Sequence, residues 1–320
     1  MLYIVGGKQR ETRSVTDNDP NWYSYQSGLV LKVDTDNDVV ETCFEYMSRE
    51  GTCLPGDAVL FKSGSIAGEE IYLCTQTEVL ICSLPSFDVV QHISLPLFND
   101  VHHVQPFKDN SLIVANTGLE MVIRLSRTGD VLDLWNVLFK DPWQDFDQNL
   151  DYRMGVSTKP HQAHPNYVFT IGDDIWATRF EKKDAVCVTD TSKSIQIDLE
   201  RVHDGLVHDD KIYFTTVDGH VVIYNQSDLQ HVQTIDLNAA HPANTLLGWC
   251  RGILVDEDVM WVGFSRIRPT KFRGALSWIR TGFQTSAPTH IGCYCLKTGK
   301  CLKEIDLEPY GLNAVFSILK

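Results

Sequence analysis

The segment from Val202 to Tyr224 constrains the fold more than any other part of the chain. It divides into three short apolar runs separated by two tight turns, His208-Asp209-Asp210 and Asp218-Gly219. Asp-Gly between alternating apolar runs is a strong hairpin signal, because glycine accepts the positive φ that such a turn requires. A fourth run, His231-Val232-Gln233-Thr234-Ile235, follows a polar turn at Gln226-Ser227-Asp228. Four short antiparallel strands in succession make one propeller blade.

The pattern recurs along the chain. Each unit begins with a short run leading into an apolar inner strand. These runs are Gly56-Asp57-Ala58-Val59, Val101-His102-His103-Val104, His164-Pro165-Asn166-Tyr167, His203-Asp204-Gly205-Leu206, Cys250-Arg251-Gly252-Ile253 and Leu312-Asn313-Ala314-Val315. Second strands follow the first five, at Glu70 to Leu73, Leu112 to Ala115, Ile175 to Thr178, Ile212 to Thr215 and Met260 to Gly263. The sixth unit ends at Lys320, and Leu2 to Gly6 supplies its missing neighbour. The expected fold is therefore all-β: a six-bladed β-propeller over residues 1–320, closed by pairing N-terminal strands with the C-terminal inner strand. Such closure removes an open sheet edge.

Composition agrees with one large β domain. Hydrophobic residues make up 43% of the chain, enough for a packed core, and no linker-like stretch interrupts it. The N-terminal apolar run is too short for a signal peptide, and no run reaches the length of a membrane span. Nine cysteines, several on strands, fit reduced thiols in a cytoplasmic protein. Cys293, Cys295 and Cys301 fall on outer strands and read as packing residues. Cys250 beside Arg251 is a candidate for a lowered thiol pKa, although a plain buried thiol fits as well. The net charge of −14 excludes general nucleic-acid binding. No dinucleotide fingerprint, phosphate-cradling loop or Gly-x-Ser-x-Gly elbow occurs, so no nucleotide cofactor is expected.

Insertions at 7–27, 47–55, 136–163, 237–248 and 265–290 all precede an inner strand or join strands two and three. Both kinds of connection lie on one face of the disc. That face also receives the starts of the inner strands, and loops on a rigid scaffold commonly carry function. The strand starts hold His102, His103, His164, Asn166, His203, Asp204, Arg251 and Asn313, with Asp57 in the second blade. His103, rather than His102, is assigned to the channel because it directly precedes Val104, aligned with Leu206 and Ile253. The imidazoles and carboxylate of His102, His103, His164, His203 and Asp204 suit one divalent ion: zinc, manganese or iron, or calcium with more oxygen ligands. His103, His203 and Arg251 are the candidate catalytic groups. Asp57, Asn166, Asn313 and the loop residues Arg266 and Arg268 are candidates for holding a small polar or anionic substrate. The same residues also fit a polar lining that hydrogen-bonds channel water.

The runs Asp100 to Val104, Val114 to Thr117, His164 to Asn166, Cys250 to Ile253 and Val262 to Arg268 resemble an uncharacterised group of bacterial β-propeller proteins, over residues 100–315. The resemblance implies the propeller and its polar ring, and supplies no activity. The disc is also similar in architecture to six-bladed propellers of the lactonase and strictosidine-synthase type. The lactonases hold calcium at the channel mouth through a Glu near the N-terminus, and no such Glu falls on an inner strand here. Two functions remain. One is an enzyme of hydrolase or lyase type acting on a small molecule at the mouth. The other is an interaction scaffold that grips a partner protein with Trp22, Tyr23, Trp135, Trp143, Phe146 and Trp278.

Overall fold

The computed structural model of the chain describes residues 1–10, 25–243, 245–266 and 285–320. Six four-stranded antiparallel sheets stand in a ring, with consecutive inner strands side by side around the axis. Blade 1 comprises Ser63–Ala67, Glu70–Cys74, Val79–Ser83 and Val89–Ile93. Blade 2 comprises Val101–Pro106, Leu112–Asn116, Met121–Leu125 and Val131–Asn136. Blade 3 holds Pro165–Ile171, Asp174–Arg179, Asp184–Cys187 and Ser194–Gln196, and blade 4 holds Val202–His208, Lys211–Thr216, His220–Asn225 and His231–Asp236. Blade 5 is Trp249–Asp256, Val259–Ser265, His290–Cys295 and Cys301–Asp306. Blade 6 joins the C-terminal inner strand Ala314–Leu319 to Leu2–Gln9, Tyr25–Asp34 and Val39–Tyr46. Among the described residues, no helix is long and apolar enough to cross a membrane.

Burial explains the strand sequences. Middle strands are covered on both faces by neighbouring blades, so Leu112–Asn116 and Met121–Leu125 run almost continuously buried instead of alternating. Rim strands such as His231–Asp236 are largely exposed and polar, which blunts the outer edge against further pairing. The turn at Asp218-Gly219 forms as its sequence dictates: Gly219 has φ of +91° and donates its N–H to Thr216 O at 3.0 Å.

Ladder registers shift near the start of five inner strands: between Val101 and His103, Pro165 and Val168, Val202 and Gly205, and Arg251 and Ile253, and opposite Val5/Gly6 in blade 6. A bulge of this kind leaves backbone groups without ladder partners. Hydroxyls of adjoining blades occupy them. Ser65 donates to Val104 O at 3.0 Å, Thr178 to His203 O at 2.9 Å and Ser265 to Val315 O at 3.1 Å, while Thr117 donates to Pro165 O. Ser317 accepts from the Gly64 N–H at 3.0 Å.

The inner strands correct two expectations. The inner strand of blade 1 begins at Ser63, so Gly56 to Val59 belong to the preceding loop and Asp57 is not on an inner strand. In blade 2 the extra residue reverses the pair of histidines. His103 is the one turned into the seam with blade 3, fully buried and stacked on Tyr167 with centroids 3.7 Å apart. Its Nδ1 accepts from the Val168 N–H at 3.3 Å.

Ring closure depends on close backbone approach at Gly6. A Cβ there would lie 1.7 Å from Ala314 O, and one at Gly7 would lie 2.6 Å from Leu60 Cβ. Gly6→Val is expected to cost about 3 kcal/mol, read as a lowered denaturation midpoint. An unchanged midpoint would show that closure tolerates a side chain here.

Burial, reinforced by the nearby His203, lowers the His103 pKa to about 3. An unfolded histidine titrates near ~6.5, so the native state binds fewer protons below that value. Stability from this residue is complete above pH ~6.5 and falls by about 1.4 kcal/mol for each pH unit of acidification until the folded value is reached. His103→Phe keeps an aromatic stack and removes the titration, so its midpoint is expected to depend less on pH between about 6.5 and 4. Parallel curves for the two proteins would refute this.

Candidate functional site

Five blades deliver one polar side chain each to the same cavity, of about 380 Å³: Lys62, His102, Asn166, His203 and Arg251. Lys62 immediately precedes its inner strand; the others sit at or beside the register shifts. Blade 6 contributes Phe316, whose ring centre lies 4.6 Å from the Arg251 guanidinium, 5.9 Å from Lys62 Nζ and 6.1 Å from the His203 ring. A second cavity of about 440 Å³ opens at the other end of the channel, where Tyr167, Asp204 and Ser317 form part of the wall.

The connection from blade 2 to blade 3 builds one wall of the mouth. Tyr152 is buried in the cluster of Phe98, Val101 and Leu119, with Trp143 and Phe146 packed against it. The Asn99 side chain donates to Tyr152 O at 2.8 Å and to Val156 O at 3.1 Å. At the end of the connection, the buried Glu120 carboxylate accepts three successive backbone N–H groups, from Gln162, Ala163 and His164. That clamp holds His164 at φ of +57°, a left-handed conformation uncommon for residues other than glycine. It also fixes His161 opposite His164, with their Nδ1 atoms 2.6 Å apart. Among the described residues, Asp100, His161 and His164 bring potential metal-ligand atoms within 4.8 Å of one another.

The charges are organised in two pairs. Lys62 Nζ lies 3.0 Å from Asp100 Oδ1 and 3.3 Å from His102 Nε2. His102 Nδ1 donates to Asp100 O at 2.7 Å, which leaves its Nε2 lone pair to accept from the lysine. Burial lowers Lys62 against the attraction of Asp100. Burial also opposes ionisation of Asp100, but the Lys62 ammonium beside it outweighs burial and holds the carboxyl well below its ordinary range. The second pair is His203 and Asp204, with Nδ1 and Oδ1 2.5 Å apart and both residues buried. Adjacent strand residues ordinarily point to opposite faces; the register shift between Val202 and Gly205 lets these two meet. Desolvation lowers His203 despite its carboxylate, lowers His164 to about 3, and takes Arg251 to about 10, leaving the guanidinium charged at neutral pH. The wall carries four basic residues, Lys62, Arg153, Lys159 and Arg251, and two acidic ones, Asp57 and Asp100, with Arg153 paired to Asp151 at 2.7 Å and Lys62 to Asp100 at 3.0 Å.

The structure regroups the sequence-selected residues. His102, His164, Asn166, His203 and Arg251 reach the mouth, and Asp57 reaches it from its loop. His103 does not, being part of the seam. Asp204 faces the other cavity and backs His203. Asn313 accepts from the Gln9 N–H at 2.9 Å and serves ring closure. Arg266 pairs with Glu308 at 3.1 Å outside the cavity wall, and Arg268 lies outside the described residues. The expected ligand set His102, His103, His164, His203 and Asp204 is therefore not assembled as one group, because the bulges send its members to different places. Burial raises the Cys250 thiol well above its ordinary value, the reverse of an activated thiolate. Sequence reading missed Lys62, Asp100, Glu120 and His161. His161-x-x-His164 was a visible spacing, and Lys62 ends the apolar run Val59-Leu60-Phe61 where other blades place a histidine.

A protein of unknown function from Bacteroides caccae, known from its crystal structure, is similar at 12% identity and a TM-score of 0.63, covering 99% of this chain and 97% of that one. The WD40 domain of Neurospora crassa Pan2 matches at 11% identity and a TM-score of 0.48, over 77% of this chain and 65% of that one. Virginiamycin B lyase from Staphylococcus aureus matches at 12% identity and a TM-score of 0.46, over 73% and 69%. No protein-family model matches the chain, and no curated protein matches it. The first of these likenesses extends over the whole propeller and is a likeness of fold.

Proposed function

We propose that the chain is an enzyme that takes a small anionic substrate at this mouth and moves a proton on it, in a reaction of lyase or hydrolase type. The buried His203–Asp204 contact carries the reading. Asp204 accepts the Nδ1 proton, which fixes the tautomer and leaves the Nε2 lone pair of His203, a residue of the cavity wall, as a base. Nε2 takes a proton from a substrate carbon in a lyase reaction, or from water in a hydrolytic one. Arg251 holds the anionic group and stabilises developing negative charge at the cavity wall, Lys62 being already paired with Asp100. Asn166, whose buried Oδ1 has no hydrogen-bond partner among the described residues, supplies an acceptor for a substrate hydroxyl or amine.

A divalent ion on Asp100, His161 and His164 is a second reading, favoured by the proximity of their ligand atoms. The Lys62 ammonium, 3.0 Å from Asp100, already neutralises that carboxylate, so the metal-free reading is preferred. The scaffold alternative finds less support: Trp143, Phe146 and Trp135 pack against core clusters, and Trp22, Tyr23 and Trp278 lie outside the described residues.

In a thermal-shift panel of small carboxylates and phosphate esters, a compound that stabilises the native protein is expected to lose most of its effect on Arg251→Lys, which keeps charge but not the two-pronged geometry. Equal shifts in both proteins would overturn the anion role. With a turned-over member of that panel, His203→Asn is expected to lower kcat by about 10²–10⁴-fold while binding persists. Undiminished turnover would remove His203 from the chemistry.

The pH profile gives a separate check. His203 acts as a base in its neutral form, and its pKa is lowered, so activity is expected to persist as pH falls through ~6.5 and to fail only below it. An acidic limb centred above that value would contradict the assignment.

A further inference from the structure

At the seam between blades 4 and 5, far from the channel wall, a second cluster of ligating groups has formed. The short turn Leu237–Ala240 leads into His241, whose Nε2 lies 3.0 Å from the Tyr294 hydroxyl. Tyr294 reaches it across Gly292, where a Cβ would stand 2.8 Å from that same hydroxyl oxygen. With Nε2 so engaged, His241 Nδ1 is turned toward Glu304 Oε1, 3.8 Å away. Potential ligand atoms of His241, Cys301 and Glu304 all lie within 4.8 Å of one another. Cys301 and Glu304 belong to the rim strand of blade 5, paired opposite Tyr294 and Gly292.

A second observation is independent of that proximity. His290 is buried and stacked on Phe264. Its Nδ1 lies 2.8 Å from Pro288 O, and a carbonyl only accepts, so Nδ1 carries the proton and the neutral ring keeps its lone pair on Nε2. That Nε2 is buried, has no hydrogen-bond partner among the described residues, and faces Glu304 Oε1 at 3.4 Å. A lone pair and a carboxylate oxygen facing each other repel; the Glu304 carboxylate is partly solvated, but the His290 lone pair is buried, and a cation between them relieves the repulsion.

We propose that His241, His290, Cys301 and Glu304 form a zinc site that fastens the segment linking blades 4 and 5 to the outer strands of blade 5. Two imidazoles, a thiolate and a carboxylate are a donor set for Zn²⁺, which takes four such ligands tetrahedrally. Tetrahedral zinc places ligand atoms roughly 3–4 Å apart; those of His241, Cys301 and Glu304 contract from within 4.8 Å of one another, and His290 joins through its approach to Glu304. Each histidine already engages its second nitrogen with an oxygen, Pro288 O or the Tyr294 hydroxyl, which is the arrangement that orients imidazoles toward a metal. The ion binds the native protein and not the dispersed ligands of the unfolded chain, so it stabilises the fold.

The test uses the whole chain, stripped with a chelator and titrated with ZnCl₂ or CoCl₂ alone. Zinc is expected to raise the melting temperature at one equivalent, and cobalt is expected to give a thiolate-to-metal charge-transfer band in the near ultraviolet. Cys301→Ser is expected to abolish the band, and Glu304→Gln, at an exposed position that leaves folding intact, to weaken zinc binding about tenfold or more. The paired variant His161→Asn/His164→Asn at the channel mouth is expected to leave both signals unchanged. Absence of a charge-transfer band in the unaltered protein, its survival in Cys301→Ser, or its loss in the channel-mouth variant would each overturn the proposal.

Discussion

The extra residue at the start of each bulged inner strand is the constraint from which the site follows. Six inner strands converge on a narrow axis, and a regular ladder would send alternate side chains into the channel and into the blade seams. The register shifts interrupt that alternation where the channel widens into its mouth. They turn His102, Asn166 and His203 into the cavity and bring Asp204 round to His203. Unpaired backbone groups would make such bulges costly in a buried ring. The hydroxyls of Ser65, Thr117, Thr178 and Ser265 remove that cost and at the same time tie each blade to its neighbour. Ring cohesion and site geometry are thus one structural feature.

Electrostatics at the mouth follow from the same enclosure. Taking Lys62, Asp100, His203 and Asp204 out of water is expensive, and each is tolerated because it meets a partner within about 3 Å. The partnerships are unequal in kind. Lys62 and Asp100 neutralise each other and leave no net charge to offer. Arg251 rests on the faces of Phe316 and Trp249, which stabilise its cation. Neutral histidines around them add polarity without adding positive charge that would repel Arg251.

Propeller architecture was legible because it rests on features local in sequence: turns such as Asp218-Gly219, apolar runs of strand length, and a C-terminal strand lacking its neighbour. The site was legible only to the level of strand position. His203 and Arg251 were found because they stand at those starts. The choice of His103 over His102 followed strict alternation, and a single bulged residue reverses alternation without altering composition. Asp57 was misplaced because Gly56-Asp57 resembles a turn before a strand, whereas the strand begins only at Ser63. Lys62 was passed over because a lysine ending an apolar run ordinarily marks a solvated strand end; its burial depends on Asp100, from the next blade. His161 belongs to a connection whose path is set by Glu120, a contact spanning forty-odd residues that no periodicity announces.

The two histidine clusters differ in a way that proximity alone does not reveal. At the mouth, the cation Asp100 requires is already covalently part of the protein, as the Lys62 ammonium, and the 2.6 Å separation of the His161 and His164 nitrogens is closed by a proton shared between them. Lys62 thus answers the Asp100 carboxylate, and the shared proton answers the facing imidazole nitrogens. At the seam, His290 Nε2 and Glu304 Oε1 face each other with no proton between them, because Pro288 O holds the ring proton on the opposite edge. Distance criteria place both groups in one class. Counting protons and lone pairs separates them: the cluster at the mouth is balanced without a metal, and the cluster at the seam is not.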